Sequence, residues 1–179
     1  MLKRSLLALC FLLGSSQVYA DTKQDEGHQF LVQTSLWTHH YQHDPDHNNQ
    51  QELINLLWYP SAQYQPETLT NSAYTWVNHT QWFVGAATFK NSFSQRTYYG
   101  YVGGRYRFNK YEFIEPYLRL TGGLLHGYRG EYQDKVPLNK YKTAPVLVPS
   151  IGVDIQQVSL ELAAFAASGV MLNIGYYFR

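Results

Sequence analysis

From Phe30 to the C-terminus, apolar and polar residues alternate with a period of two, broken by clusters of turn residues, and no segment holds a 3.6-residue period over three turns. Such a chain forms its backbone hydrogen bonds between strands. The alternation divides it into eight: Phe30–Tyr41, Glu52–Tyr64, Tyr74–Phe89, Arg96–Phe108, Phe113–Tyr128, Thr143–Ile155, Val158–Ala166 and Gly169–Phe178. Strands of about ten residues suit a tilted crossing of a hydrocarbon layer. An even number returns both ends of the chain to one side. Segments 42–51, 90–95, 129–142 and 167–168 then face outward, and 65–73, 109–112 and 156–157 face the periplasm. The outer loops are the longer set, as in outer-membrane barrels, although 65–73 is long for an inner turn. The expected fold is all-β, an eight-stranded antiparallel transmembrane barrel.

Composition points the same way. Sixteen tyrosines, nine phenylalanines and four tryptophans sit in a chain whose mean hydropathy is negative. A membrane barrel spreads its aromatics along alternating strands and in two interfacial girdles. In the last strand Leu172, Ile174, Tyr176 and Phe178 form one apolar face, expected to meet lipid, and the strand ends on an aromatic residue followed by Arg179. A soluble lipocalin-like barrel in the periplasm shares the alternation; the aromatic load and the C-terminal strand favour the membrane.

The N-terminus reads as an export signal. Lys3 and Arg4 precede the apolar run Leu6–Gly14, too short for a membrane-spanning helix, and Val18-Tyr19-Ala20 offers a cleavage site before Asp21. This predicts a signal peptide over 1–20, one barrel domain over 21–179 and an outer-membrane destination. The alternative is an N-terminal membrane anchor. Cys10, the only cysteine, lies in the leader, so the mature chain is expected to have no disulfide, thiol nucleophile or thiolate metal site. A net charge of +1 gives no reason to expect nucleic acid.

Two outer segments carry groups capable of chemistry. The first strand ends in Trp37-Thr38-His39-His40-Tyr41, followed by His43 and His47. These imidazoles read as metal ligands, as a general base or as solvated loop residues. No second ligand-rich segment fixes a metal geometry, so no metal is expected. The loop Lys90-Asn91-Ser92-Phe93-Ser94-Gln95-Arg96 brings a serine near an amide and two cations. Strands one and three are separated by one strand, so their outer ends can meet across the mouth of a small barrel. A serine and a histidine there make a nucleophile–base pair.

With these segments the sequence resembles the PagP family of lipid A palmitoyltransferases. The resemblance rests on His39-His40-Tyr41 ending the first strand, on Thr88-Phe89-Lys90-Asn91-Ser92 and on Ala144-Pro145-Val146-Leu147-Val148-Pro149 opening the sixth. Beyond these blocks it lies in strand order. It implies an eight-stranded outer-membrane enzyme that moves a palmitoyl chain from a glycerophospholipid to lipid A without a cofactor, acting as a monomer. His40 or His39 is the implied base, activating either Ser92 or the sugar hydroxyl of lipid A, with Asn91 orienting it or helping to hold the oxyanion. Alternation places His39 on the face of Ser35 and Trp37, the family motif favours His40, and a bulge at the strand end swaps the faces. Lys90, Arg96 and Arg129 are candidates for lipid A phosphates. The region Gly100–Gly104 is where the acyl chain is expected to end, with the limit near Gly103. Two features depart from the family. Asn91 stands where it has an aspartate, and 21–29 hardly provides its amphipathic helix.

Pro145 and Pro149 cannot donate to a strand ladder. Either the sixth strand starts late, or the prolines mark a gap through which lipid enters sideways, as the resemblance implies. Two other functions remain open: a non-catalytic barrel of OmpA or OmpX type, and a deacylase of PagL type. The last is disfavoured because no histidine follows His126. The interior discriminates. A structural barrel fills it with salt-bridged polar groups, whereas an acyl-binding barrel keeps its outer half apolar and empty. Few charges fall within the strands, mainly Arg105, Arg107, Arg119 and Glu161.

Overall fold

The computed structural model describes residues 27–41, 52–61, 80–108, 110–139, 141–166 and 168–178. The segment 1–20 expected to be an export signal, His43, His47 and the inner turn expected at 65–73 lie outside them. Eight strands follow in order: β1 Gln29–His40, β2 Ile54–Tyr59, β3 Thr80–Lys90, β4 Arg96–Arg107, β5 Ile114–His126, β6 Thr143–Ile155, β7 Val158–Phe165 and β8 Gly169–Phe178. Each pairs antiparallel with the next, and β8 pairs with β1 to close a barrel. Closure removes the exposed edges that an open sheet of this pattern would present. β2 is shorter than expected, ending at Tyr59 before Pro60, and β5 stops at His126. The β5–β6 connection, which reads as plain loop in the sequence, contains a 3-10 helix at Gly130–Lys135. Phe93 stacks on Tyr132 at 4.0 Å and meets Tyr128 edge-on, tying this segment to the β3–β4 loop.

Alternation sorts the side chains by face. Outward positions carry Phe30, Val32, Leu56, Trp58, Val84, Val102, Leu118, Leu120, Leu124, Leu147, Ile151, Leu162, Tyr176 and Phe178, all well exposed. A uniformly apolar outer wall is what contact with hydrocarbon requires. The expected lipid face of the last strand is the outward face of β8. Near the end where β1 begins and β8 finishes, the lower end, this wall is ringed by Phe30, Trp58, Phe108 and Phe178.

The interior has two halves. The lower half holds a buried charge network. Arg105 donates to Asp154 at 2.6 Å and to the Tyr177 hydroxyl. Arg119 pairs with Glu161 and donates to the Tyr59 hydroxyl at 2.9 Å. Arg105 also lies over the rings of Tyr59 and Tyr177, and Arg119 over those of Phe83 and Tyr117. Each of these buried cations thus has a carboxylate and aromatic neighbours, the condition under which a charge tolerates burial. The upper half is lined by Leu57, Ala87, Phe89, Tyr99, Tyr101, Val146, Val148, Ala163 and Phe165, interleaved with the polar Asn55, Thr121, Ser150 and Asn173.

Among the described residues, two seams interrupt the ladder near the upper end. β6 pairs with β7 only over Ser150–Ile155, so residues 143–149 have a partner in β5 alone. β1 pairs with β2 only over Gln29–Gln33. Both interruptions lie in the upper half of the wall, and the Thr34 hydroxyl still donates to the Leu53 carbonyl at 2.8 Å across the second.

Candidate active site

The upper end of β1 contains a bulge. Pairing with β8 shifts between Ser35 and Trp37, leaving Leu36 as the extra residue. The faces therefore exchange. Gln29, Leu31 and Gln33 are inward in the lower strand, while above the bulge His40 takes the inward side and His39 the outward side, stacked on Trp37 at 5.6 Å and edge-on to Tyr41. This corrects the reading of His39 as a catalytic candidate: simple alternation fails because one residue is inserted. The position of His40 is held by a close approach. Any Cβ at Gly169 would strike the His39 carbonyl, and the Tyr41 N–H donates to the Ser168 carbonyl at 3.1 Å.

Across the mouth, the His40 Nε2 lies 3.4 Å from the Ser92 hydroxyl. Ser92 is buried in the β3–β4 loop, and Asn91 builds that loop. The Asn91 side-chain carbonyl accepts from the Phe93 and Gln95 N–H groups, both at 3.0 Å, and its backbone exchanges bonds with Ser94 and Gln95. Its side-chain amide nitrogen, Nδ2, is buried with no partner among the described residues. An aspartate would form the same turn through its oxygens, but it would bring a charge where asparagine brings a free donor.

The remaining candidates divide. Lys90 donates to Glu52 at 2.8 Å, and Arg96 approaches the same carboxylate at 3.6 Å. Hydrogen bonding and attraction from Lys90, followed by Arg96, hold the Glu52 carboxyl below its ordinary value of 4.5. Arg96 and Arg129 line one cleft on the outside of the wall, away from the mouth. Gly100 is also corrected. It faces outward, a Cβ placed on it would meet nothing within 4 Å, and it cannot line the interior. Gly103 does face inward, but a Cβ there would lie 2.6 Å from the Phe83 ring. It is packed beneath Phe83 and does not form the floor of an open tunnel. Pro145 and Pro149 point outward on the unpaired half of β6, opposite Leu124 and Leu120 of β5.

Inside the mouth a cavity of about 60 Å³ runs from Leu53, Phe89 and Phe165 down to Arg119 and Glu161. The Tyr99 and Tyr101 rings, stacked at 4.7 Å, line this cavity. The floor is the Arg119–Glu161 pair with Tyr101 above it. In the sequence Arg119 and Glu161 stand out as strand charges, but nothing there pairs them. Asp154 and the Tyr99–Tyr101 stack have no signal beyond their inward alternation.

No family model matches the sequence, and no curated protein matches it. Among solved structures, the outer-membrane protein Ail of Yersinia pestis, determined in a phospholipid bilayer nanodisc, aligns over 86% of this chain and 100% of its own at 15% identity, with a TM-score of 0.43.

Proposed function

We propose that this protein is an outer-membrane acyltransferase that moves an acyl chain from a glycerophospholipid to lipid A at the outer rim of the barrel. The observation that carries the reading is the approach of the His40 imidazole to the Ser92 hydroxyl at the mouth. At 3.4 Å the contact is long, and such pairs tighten when substrate excludes water. The donor enters through the β6–β7 seam, where Pro145 and Pro149 supply no N–H to complete a ladder. Its acyl chain turns into the upper half, between Phe89, Val148 and Phe165, and its ester carbonyl stays at the rim.

His40 takes the proton of the attacking hydroxyl, from Ser92 or directly from the lipid A sugar. The new C–O bond forms at the carbonyl carbon as the bond to the glycerol oxygen breaks, and the proton passes from His40 to that leaving oxygen. On the serine route a second transfer moves the acyl group from Ser92 to the sugar: His40 takes the sugar hydroxyl proton and gives it to the Ser92 oxygen as the acyl–serine bond breaks. The buried Asn91 Nδ2 is the donor available to the developing oxyanion.

The second reading, a non-catalytic barrel, is favoured by two observations: the buried Arg105–Asp154 and Arg119–Glu161 network that fills the lower half, and above it a cavity of about 60 Å³. That is room for about four water-sized spheres, far less than a palmitoyl chain fills. Under the enzyme reading the Tyr99 and Tyr101 rings swing aside to admit the donor, or the accepted chain is shorter than palmitoyl. Lipid A from cells with and without the protein, compared by mass spectrometry, separates the two readings.

A further inference from the structure

The cleft outside the wall lies in a column of outward positions whose chemistry changes along the strand. On β4 the outward residues run Arg96, Tyr98, Gly100 and Val102 downward from the upper rim, and their β5 partners at Tyr98, Gly100 and Val102 are His126, Leu124 and Gly122. Cations stand at the top, an aromatic ring comes next, and glycine and aliphatic side chains continue below. Gly100 leaves open space on the wall, and the exposed Leu124 and Val102 flank it.

The cationic end is a built cleft of about 460 Å³ lined by Gln95, Arg96, Tyr98, Gly127 and Arg129. Gln95 fixes its shape by reciprocal bonds with the Arg129 backbone, accepting from the N–H at 3.0 Å and donating to the carbonyl at 3.2 Å. Gly127 has φ +147°, and a Cβ there would lie 2.6 Å from the Thr97 backbone, so only glycine allows β5 to leave the wall at this point. The Arg129 guanidinium approaches the His126 Nε2 at 3.4 Å, and His126 Nδ1 meets the Thr143 hydroxyl at 2.9 Å. Among the described residues, no carboxylate lines the cleft. Glu52, which does not line the cleft, approaches Arg96 at 3.6 Å and is itself engaged by Lys90 at 2.8 Å.

We infer that this column binds a phosphorylated lipid of the outer leaflet from outside the barrel, its phosphate between Arg96 and Arg129 and an acyl chain along the Gly100–Leu124 groove. Two guanidiniums match the oxygens of a phosphate by charge-assisted hydrogen bonds, and the apolar strip directly beneath them suits the rest of the amphiphile. The inference shares with the proposed function the premise that the outer wall meets a membrane. It is independent of catalysis by His40.

The test uses the full mature barrel in phosphatidylcholine nanodiscs doped with bisphosphorylated lipid A, with the same lipid A dephosphorylated, or with phosphatidylglycerol, and counts retained lipid adducts by native mass spectrometry. The expected result is retention of lipid A that falls about tenfold in R96Q/R129Q, as loss of a charge-assisted contact implies, and falls also when its phosphates are removed. G100L, which fills the groove and leaves both arginines in place, is expected to weaken retention as well. The phosphatidylglycerol arm tells whether a glycerophospholipid serves as the phosphate source in place of the glycolipid, and sensitivity to R96Q/R129Q in either arm supports the site. Retention equal in wild type and R96Q/R129Q overturns the inference, as does displacement of lipid by inorganic phosphate alone. Failure of the barrel to enter nanodiscs overturns it through the shared membrane premise, an outcome distinct from insertion without selectivity.

Discussion

Among single residues, the one inserted at the β1 bulge decides the candidate base. Because His40 faces the mouth and His39 stacks on Trp37 outside it, His40→Ala is expected to lower acyl transfer by about 10²–10⁴-fold, the usual worth of a general base. His39→Ala should leave the rate within a few-fold. Lipid A acylation assays on outer-membrane fractions with matched barrel content check both. A second residue-level consequence concerns Glu52. Its carboxyl is held below the ordinary value, chiefly by Lys90, so its contribution to the β2–β3 rim is present above pH 4.5 and is lost as pH falls through the lowered value. Carbon-detected NMR of the Glu52 carboxyl should place its midpoint below 4.5, and Lys90→Met should move it upward.

For the strands as elements, the eightfold division is legible because inward and outward residues alternate, and the lipid face of the last strand is readable from Leu172, Ile174, Tyr176 and Phe178. The face of His40 is not, because an inserted residue leaves no mark in a pattern of single residues. Gly100 and Gly103 read in the sequence as one interior region, yet they sit on opposite faces because their numbers differ by an odd step. The half of β6 that β7 leaves unpaired is half legible: prolines weaken a ladder, but only the tertiary arrangement reveals that pairing with β7 stops at Ser150 although β7 runs on to Phe165. That seam yields a prediction. The only native cysteine is Cys10, in the segment expected to be removed as an export signal, so Pro149→Cys with Ala164→Cys introduces a single pair where the β6–β7 register would continue. Oxidation should block acyl transfer and reduction should restore it, measured on the same membrane preparation. Unchanged activity in the oxidised protein would exclude the seam as the donor's route.

Taken whole, the barrel is divided between stability below and the proposed chemistry above. Arg119 and Glu161 are both buried and paired, so Arg119→Leu alone leaves an uncompensated carboxylate and should cost about 3–5 kcal/mol. The double change Arg119→Leu with Glu161→Leu should recover most of that loss, as followed by urea unfolding in lipid vesicles. The same network forms the floor of the upper cavity, so the double variant also tests whether this floor limits chain length: removing it should lengthen the longest chain accepted. The proposed role of the upper half stands or falls on acyl transfer to lipid A at the mouth. Mass spectrometry of lipid A from cells producing the wild-type barrel, His40→Ala or Ser92→Ala reads that step itself. A gain of one fatty acyl chain with wild type that disappears with His40→Ala is the expected result. Lipid A of unchanged mass, with the wild-type barrel folded and abundant in the outer membrane, would contradict it.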